Sequence, residues 1–311
     1  MQRSDFLKST AALVGAGLFQ SFDSGDNFKK KKIRFAYLTD IHMIAGIGAE
    51  AGMAKAFHHA QSLKPKVDFI INGGDSIMDS LEADKQKTQT QWDLFRSILK
   101  NENGLPIYHC IGNHDVWGWF VKENKPDADR LYGKQWVVEV QQMPGRYYSF
   151  SKDKWHFIVL DSTQLNPAGG YIAYIDGQQM DWLKQELEHN KDKFICLVSH
   201  IPMLSICAGL FFNKTEANGD LKIQRNLMHT DFFQLKALFK QYPNIKVCLS
   251  GHIHLQDELD YLGLKYYCNG AVSGNWWKGA FQDFAPAYAV IELYDDGTSA
   301  RKMYEYDKPV S

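Results

Sequence analysis

The chain is poor in the residues that build disulfide frameworks and structural zinc sites. It has five cysteines among 311 residues, and no two of them form a CxxC pair. The odd count is incompatible with complete intramolecular pairing, and four of the five lie in apolar, strand-like runs such as Phe194–Val198. We therefore expect small buried thiols, with neither a disulfide framework nor a thiolate zinc site.

The chain also lacks an excess of charge of either sign and a long apolar run. Its 35 Lys and Arg residues nearly balance its 36 Asp and Glu residues, which leaves a formal charge of −1. This balance argues against a surface for extended nucleic acid, because such surfaces carry an excess of positive charge. Outside the N-terminus, no apolar run is long enough to span a bilayer. With 45% hydrophobic residues, the chain can form a sizeable globular core.

The N-terminus has the layout of a secretory signal. Arg3 and Lys8 precede a short apolar stretch, Ala11–Phe19, in the order that is typical of an export signal. The stretch also resembles a twin-arginine motif, although Ser4 takes the place of the second arginine. We expect residues 1–32 to be an export signal or anchor plus linker and to provide the only membrane contact. The protein is then periplasmic or otherwise exported; the alternative is a cytoplasmic protein with an amphipathic N-terminal helix.

From residue 33 onward, strand-like and helix-like segments alternate. Runs of β-branched and aromatic residues predict strands, and longer amphipathic stretches predict helices between them. The predicted strands are Ile33–Thr39, Val67–Asn72, Pro106–Ile111, Arg146–Phe150, Trp155–Leu160, Phe194–Ser199 and Ile245–Ser250, and the predicted helices are Ala51–Leu63, Lys85–Lys100, Gln178–Asn190 and Asp231–Tyr242. Short strands follow up to Tyr306. This pattern predicts one α/β domain over residues 33–311, built around mixed sheets.

Polar side chains follow five of the predicted strands at the point where each strand ends. In chain order they are Asp40, His42, Asp75, Asn113, His114, His200, His252 and His254. Because ligands bind at the carboxyl ends of the strands in open α/β sheets, we expect these side chains to converge. Imidazole and carboxylate groups suit transition metals such as Zn, Mn and Fe, and this set is too large for one tetrahedral ion. Two ions would accommodate it and would serve the in-line hydrolysis of a phosphate ester.

In order, these residues form D-x-H, G-D, G-N-H-D, a lone histidine after a strand, and G-H-x-H. The series resembles the calcineurin-like metallophosphoesterase superfamily and covers Asp40 to His254. The resemblance implies a four-layer sandwich, in which two packed mixed β-sheets are flanked by helices. It also implies two divalent or mixed-valence transition metal ions (Mn, Fe or Zn), which activate a hydroxide. The implied ligands are Asp40, His42 and His254 for one ion, Asn113, His200 and His252 for the other, and Asp75 between the two.

The resemblance implies catalytic roles for two further residues. His114, in G-N-H-D, is not a metal ligand in the family; it would stabilise the developing charge and protonate the leaving oxygen. Asp79 would orient His114, because many relatives carry an acid shortly after G-D. In this chain the interval between the G-D motif and Asp79 is one residue longer than in the family pattern.

Two departures from other branches of the superfamily narrow the function. Ser76–Met78 and Val116–Trp117 lack the phosphate-clamping arginines of the phosphoprotein phosphatases, and the tyrosine that purple acid phosphatases carry after G-D is missing. What remains resembles the branch of cyclic-nucleotide phosphodiesterases and nucleotidases. We therefore predict a metal-dependent hydrolase that acts on a small phosphate ester or nucleotide, with phosphodiesters as the favoured class.

Three alternative functions are open. The protein could be a phosphomonoesterase or nucleotidase, or a non-catalytic scaffold that keeps the metal ions and binds a partner. Scaffolds usually lose the histidine of G-N-H or a bridging acid, and both are present here. A nuclease would need a basic groove, which the neutral charge does not favour.

Several residues near the motifs are candidates for substrate contacts. They are Trp117, Trp119, His229, Trp276 and Trp277. The first two tryptophans lie just past His114 and are the favoured substrate wall. The last two either stack a base or an acyl group or pack in the core. The histidine ends the long stretch 201–229 and is either a contact on a lid or the neighbour of a helix N-cap.

Overall fold

The computed structural model describes residues 32–122 and 125–308. The export segment predicted for residues 1–32 lies outside the described residues, apart from Lys32, and stays a prediction. Within the described ranges, no helix has both the length and the apolar character needed to cross a membrane. All five cysteines are buried free thiols, which confirms the expectation for them.

Helices and strands alternate along the described chain. The helices are α1 (Ala49–Ser62), α2 (Lys85–Glu102), α3 (Gln135–Val140), α4 (Gly177–His189), α5 (Ile206–Phe211) and α6 (Phe232–Phe239). The strands are β1 (Lys32–Leu38), β2 (Phe69–Asn72), β3 (Ile107–His109), β4 (Tyr148–Lys152), β5 (Trp155–Leu160), β6 (Thr163–Leu165), β7 (Tyr171–Ala173), β8 (Phe194–Ser199), β9 (Lys214–Thr215), β10 (Leu221–Lys222), β11 (Ile245–Ser250), β12 (Gln256–Tyr261), β13 (Leu264–Asn269), β14 (Tyr288–Tyr294) and β15 (Ser299–Tyr304).

Eleven of these strands form two mixed sheets. The first sheet has the order β15-β14-β1-β2-β3, in which β1, β2 and β3 are parallel, β14 is antiparallel to β1, and β15 is antiparallel to β14. The second has the order β12-β13-β11-β8-β5-β4, in which the four inner strands are parallel and the two edge strands antiparallel. Each sheet therefore has a group of parallel strands whose carboxyl ends share one edge.

The two sheets pack face to face, and helices cover their outer faces. Between the sheets, the ring of Phe157 on β5 lies 5.5 Å from that of Phe35 on β1 and 5.7 Å from that of Phe69 on β2. On the outside, α1 and α2 pack in the same core cluster as the first sheet. Helices α4 and α6 bury Leu183 and Leu235 against the second. This arrangement confirms the four-layer sandwich.

The sequence pattern does not predict the shortest helices and strands. The predicted strands Trp155–Leu160, Phe194–Ser199 and Ile245–Ser250 have the observed bounds. In contrast, α3, α5 and the hairpins β6–β7 and β9–β10 were not predicted, because two to six residues are too few to establish a period. Helix α5 and the hairpin β9–β10 both lie in the stretch 201–229, for which the sequence pattern predicts no helix or strand.

Candidate metal centre

Three overlapping groups of metal-ligating side chains lie together just past the carboxyl ends of the parallel strands. The groups are Asp40, His42 and His254; His42, Asp75 and His114; and Asp75, His200 and His252. Within each group the ligand atoms lie within 4.8 Å of one another. The seventh predicted ligand, Asn113, is buried, and its Oδ1 has no hydrogen-bond partner. The structure thus brings together the residues that the motifs single out.

Left-handed backbone at the strand ends helps to direct these side chains. Five predicted ligands have a positive φ: Asp40 (55°), His42 (50°), Asp75 (52°), His252 (72°) and His254 (58°). Aspartate and histidine are among the residues that tolerate this conformation best. Backbone hydrogen bonds between the first two motifs hold the turn, since Asp40 N–H donates to Gly74 O and His42 N–H to Asp75 O. Such conformations persist only where the surroundings enforce them.

Backbone carbonyls fix the orientation of three of the imidazole rings. His200 Nδ1–H donates to Gly73 O at 2.9 Å, and His254 Nδ1–H donates to Gly274 O at 2.5 Å. Both rings therefore turn their Nε2 toward the carboxylates of the centre. Ring orientation by a carbonyl on the far nitrogen is the usual arrangement of metal-bound histidine.

His252 is oriented in the opposite sense. Its Nε2–H donates to the backbone oxygen of Asn226 at 2.8 Å, which leaves Nδ1 bare and buried without a partner. The side chain of Asn226 also bonds the phenol of Tyr171, whose ring centroid lies 6.2 Å from that of His252. Tyr171 therefore lies beside a predicted ligand, and burial and then the charge of Asp75 raise the pKa of its phenol. Neither Asn226 nor Tyr171 is among the predicted site residues.

The carboxylate of Asp75 lies between the imidazole rings of His42 and His200. Its Oδ2 is 3.2 Å from His200 Nε2 and 3.8 Å from His42 Nε2, and its Oδ1 accepts the backbone N–H of His114 at 2.8 Å. Asp40 is placed similarly at one end of the site, with its Oδ1 3.4 Å from His254 Nε2. The nitrogen His254 Nε2 in turn faces His42 Nε2 at 3.0 Å.

The electrostatics of the site favour charged carboxylates. Burial alone would raise the pKa of Asp40, but the hydrogen bond and charge of His254 lower it to about 2. The charges of His200 and His114 likewise overcome burial at Asp75 and hold its pKa well below the usual range. Both carboxylates are therefore ionised at neutral pH and can bind a cation.

The histidines of the site fall into two classes. Burial lowers the pKa of His42 well below its usual value and that of His252 to about 3, so both rings are neutral at pH 7. At His200 burial is outweighed by the charge of Asp75, which raises the pKa to about 9. The proton on His200 thus neutralises Asp75 in place of a cation. A metal ion would displace this proton, because metal binding requires neutral imidazole.

The donor atoms fit metal ions of the predicted kind. His200 Nε2 faces the carboxylate of Asp75 at 3.2 Å, whereas Asn113 Oδ1 and His252 Nδ1 are buried without a hydrogen-bond partner. Such orphaned atoms are rare in folded proteins and call for a bound ion or another explanation. Together with two ionised carboxylates, these oxygen and nitrogen donors suit Zn, Mn or Fe.

Close packing of the motif loops depends on glycine. A Cβ atom built on Gly112 would overlap the backbone nitrogen and the carboxylate of Asp75. Another side chain, Asp115, also joins these loops: its Oδ1 accepts from Ser76 N–H and its Oδ2 from Gly112 N–H. Asp115 is absent from the predicted site residues, although it is the last letter of G-N-H-D. The G-D and G-N-H-D loops therefore fit together without room for an added methyl group.

We expect Gly112→Ala to weaken metal binding although it alters no ligand, because the new methyl group must push Asp75 away. Overpacking of this kind destabilises proteins by ~1–3 kcal/mol. Metal stoichiometry after dialysis and the melting temperature measure the two effects. The control is Gly177→Ala, because a Cβ there meets nothing within 4 Å. Full metal occupancy and unchanged stability in Gly112→Ala would contradict the inferred contact.

The two predicted catalytic residues are placed differently. His114 is half-buried, its ring lies edge-on to that of His42 at 4.9 Å, and its Nδ1 has no hydrogen-bond partner. The carboxylate of Asp79 instead accepts the backbone N–H of Glu82 at 3.4 Å. No hydrogen bond among the described residues joins Asp79 to His114, so the structure gives no contact that supports an orienting role.

Two of the predicted substrate contacts are buried residues that pack and form hydrogen bonds inside the protein. Trp117 is only 2% exposed, its Nε1–H donates to Ala83 O, and its ring packs against Trp136. Its prediction as a substrate wall is wrong, because the side chain points into the core. His229 is also buried and bonds Asp231 and Ser199, which ties the stretch 201–229 to the end of β8.

The other tryptophans differ in their neighbours. The ammonium of Lys134 lies 5.4 Å from the ring of Trp119. Trp277 donates its Nε1–H to His42 O at 3.0 Å. The ring of Trp276 lies 4.3 Å from that of His254. The tryptophan pair at 276–277 is therefore the one that contacts the predicted metal ligands.

Comparison with known proteins agrees with this site. The family model for calcineurin-like phosphoesterases matches residues 33–256. The chain is 24% identical over 287 residues to the 3′,5′-cyclic-nucleotide phosphodiesterase alr5338 of Nostoc sp., covering 88% of this chain and 93% of that one. It is 22% identical over 282 residues to the 3′,5′-cyclic adenosine monophosphate phosphodiesterase CpdA of Haemophilus influenzae, covering 87% and 89%.

A solved structure shares the fold. The dimetal phosphatase of Danio rerio superposes with a TM-score of 0.62 at 13% identity, covering 88% of this chain and 96% of that one. The family model matches well over half of the chain. It covers every motif of the site, from Asp40 to His254, and ends before the last strands of the chain. The chain therefore belongs to the calcineurin-like phosphoesterase family and is a metal-dependent hydrolase of phosphate esters.

Proposed function

We propose that this protein hydrolyses 3′,5′-cyclic nucleotides or closely related small phosphodiesters at a centre of two transition metal ions. The observation that carries the proposal is the position of Asp75, whose carboxylate lies between His42 and His200 and so links two groups of ligands. The names of the Nostoc and Haemophilus relatives support the substrate class.

The donor groups divide naturally between two ions of Mn, Fe or Zn. We assign Asp40, His42 and His254 to one ion, Asn113, His200 and His252 to the other, and Asp75 to both. When bound, such a pair supplies Lewis acidity and lowers the pKa of water for attack on phosphorus. The backbone carbonyls of Gly73, Asn226 and Gly274 hold three of the imidazoles in place. These contacts keep the site ordered before the substrate arrives.

His114 is the proposed proton donor to the leaving oxygen. Its backbone is fixed at both sides, because its N–H donates to Asp75 Oδ1 and its carbonyl accepts from Ser80 N–H and Oγ. The half-buried ring has one nitrogen without a partner. A partly exposed imidazole next to the metal ligands is placed to deliver a proton to the oxygen that leaves phosphorus.

The charges at the site favour a diester over a monoester. No arginine or lysine lies in the stretches that follow the G-D and G-N-H-D motifs, Ser76–Met78 and Val116–Trp117. A monoester dianion is usually held by a guanidinium fork, whereas a diester carries one negative charge. The site in the described residues therefore fits the less charged substrate.

A screen of metal-reconstituted protein tests the proposal. After chelation, the protein is loaded in turn with Mn²⁺, Fe²⁺ or Zn²⁺. It is then assayed on 3′,5′-cyclic AMP, bis(4-nitrophenyl) phosphate, 5′-AMP and 4-nitrophenyl phosphate. We expect kcat/KM for the diesters to exceed that for the monoesters by at least about tenfold, which corresponds to ~1.4 kcal/mol of transition-state binding. Preference for monoesters would replace the proposal with a nucleotidase, and inactivity with every metal would support a scaffold.

A further inference from the structure

The loop 271–279, which follows the last strand of the second sheet, is tied to the metal motifs by several hydrogen bonds. Ser273 N–H donates to Asp40 O, Gly274 O accepts from His254 Nδ1, and Trp277 Nε1–H donates to His42 O. The two residues of D-x-H and the last residue of G-H-x-H are thus all bonded to this one loop. Whatever the loop presents to the centre is held in a fixed position.

The two tryptophans of the loop have different environments. Trp277 is an anchor: its Nε1–H is bonded to His42, and its ring lies so close to α1 that a side chain at Gly52 would overlap it. Trp276 is half-buried, and its ring centroid lies 4.3 Å from that of His254 and 5.9 Å from that of His42. One tryptophan therefore fixes the loop, and the other borders the site.

The backbone at these residues is strained. Trp276 and Trp277 have φ values of 46° and 68°, in a region that bulky side chains rarely adopt. Hydrogen bonds hold this conformation, since Asn275 N–H donates to Gly279 O and Trp277 N–H to Ser273 O. Strain of this kind clusters at functional sites, and packing an indole in a core does not require it.

Aromatic rings continue from Trp276 away from the centre. Phe281 lies edge-on to Trp276 with centroids 5.5 Å apart, and Phe212 stacks on Phe281 at 6.0 Å. We call these three half-buried rings the aromatic strip. Phe212 directly follows α5, in the stretch that comes after His200. A substituent of a phosphate bound at the centre would therefore meet an apolar, aromatic surface on this side.

We propose that Trp276 is a specificity-determining residue that stacks a planar substituent of the substrate, namely the heterocyclic base of a nucleotide ester. The inference rests on the proposed phosphodiesterase function and extends it to the group that the enzyme selects. Stacking on an aromatic side chain accepts any base, because every base has a π-face, and it strengthens binding by roughly 5- to 150-fold. Trp276 thereby separates nucleoside esters from simple alkyl esters.

Two diesters with the same leaving group isolate this effect. Methyl 4-nitrophenyl phosphate and thymidine 5′-(4-nitrophenyl phosphate) both release 4-nitrophenolate, and only the second carries a base. We expect Trp276→Ala to lower kcat/KM for the thymidine ester by about tenfold or more, mainly through KM, as expected for lost stacking. The kcat/KM for the methyl ester should fall much less. Trp276→Phe should keep most of the wild-type kcat/KM for the thymidine ester, because phenylalanine retains an aromatic face.

Two further measurements exclude an indirect effect. Metal content and the affinity for 5′-AMP, measured by calorimetry on the metal-loaded protein, show whether Trp276→Ala disturbs His254 or removes a base contact. Trp182→Phe, on helix α4, is the matched control and should leave all values unchanged. Equal losses for both esters, or an unchanged affinity for 5′-AMP, would overturn the inference.

The result also separates this inference from the proposed function. One outcome is that the wild-type protein cleaves the methyl ester while Trp276→Ala has wild-type kcat/KM for both esters. In that case the proposed phosphodiesterase function is supported and the stacking role of Trp276 is wrong. If the wild-type protein cleaves neither ester, the proposed function fails. The calorimetric affinity for 5′-AMP then still decides whether Trp276 binds a base.

Discussion

Asp75→Asn should abolish diester hydrolysis and release both metal ions. The carboxylate lies between two of the predicted histidine ligands, 3.8 Å from His42 Nε2 and 3.2 Å from His200 Nε2. An amide has nearly the same shape but no charge, so it cannot neutralise two cations. We expect kcat to fall by more than ~10³-fold, because loss of a single oxyanion donor elsewhere already costs about 10²–10³-fold.

Metal analysis and thermal unfolding make this prediction specific to the centre. A ligand that binds only the folded state raises its stability, so Mn²⁺ or Zn²⁺ should raise the melting temperature of the wild type and have little effect on Asp75→Asn. Asp84→Asn is the control for the same chemical change. Asp84 caps helix α2 through its side chain, and asparagine caps equally well. Two bound ions and near-normal turnover in Asp75→Asn would remove Asp75 from the bridging position.

The position of the site could be predicted from the sequence because each motif follows a strongly apolar strand. The runs before His200 and His252 are buried along nearly their whole length, so strand and motif are both unmistakable. Periodicity alone indicated only an α/β domain with mixed sheets. The four layers came from the resemblance, since no local pattern shows which face of a sheet meets the other sheet.

Other parts of the site gave no usable signal. Asn226 holds His252 through its backbone carbonyl, a group that every residue possesses, so its identity carries no information. Tyr171 reaches the centre from a hairpin of three-residue strands. The sequence favours Trp117 over Trp276 as a substrate contact, because Trp117 is closer to His114 along the chain. Side-chain direction reverses that order, because Trp117 is buried in the core and Trp276 lies against His254.

His114→Ala should keep both metal ions and still turn over far more slowly than the wild type. No predicted ligand is altered in this variant, whereas the proton donor to the leaving oxygen is removed. General acid catalysis contributes ~10²–10⁴-fold, and we expect kcat for 3′,5′-cyclic AMP to fall within that range. The loss should be smaller for bis(4-nitrophenyl) phosphate, because 4-nitrophenolate leaves without needing a proton.

The dependence on the leaving group distinguishes a proton donor from a metal ligand. His114 lies close enough to His42 and Asp75 to share an ion with them, so geometry alone permits both roles. A ligand would lose metal on substitution and would lose activity equally toward both diesters. His58→Ala provides the control, because that histidine is exposed on α1 and pairs with Glu102. Full metal content with a loss confined to the poorer leaving group would identify His114 as the acid, and unchanged turnover on both substrates would exclude it from the mechanism.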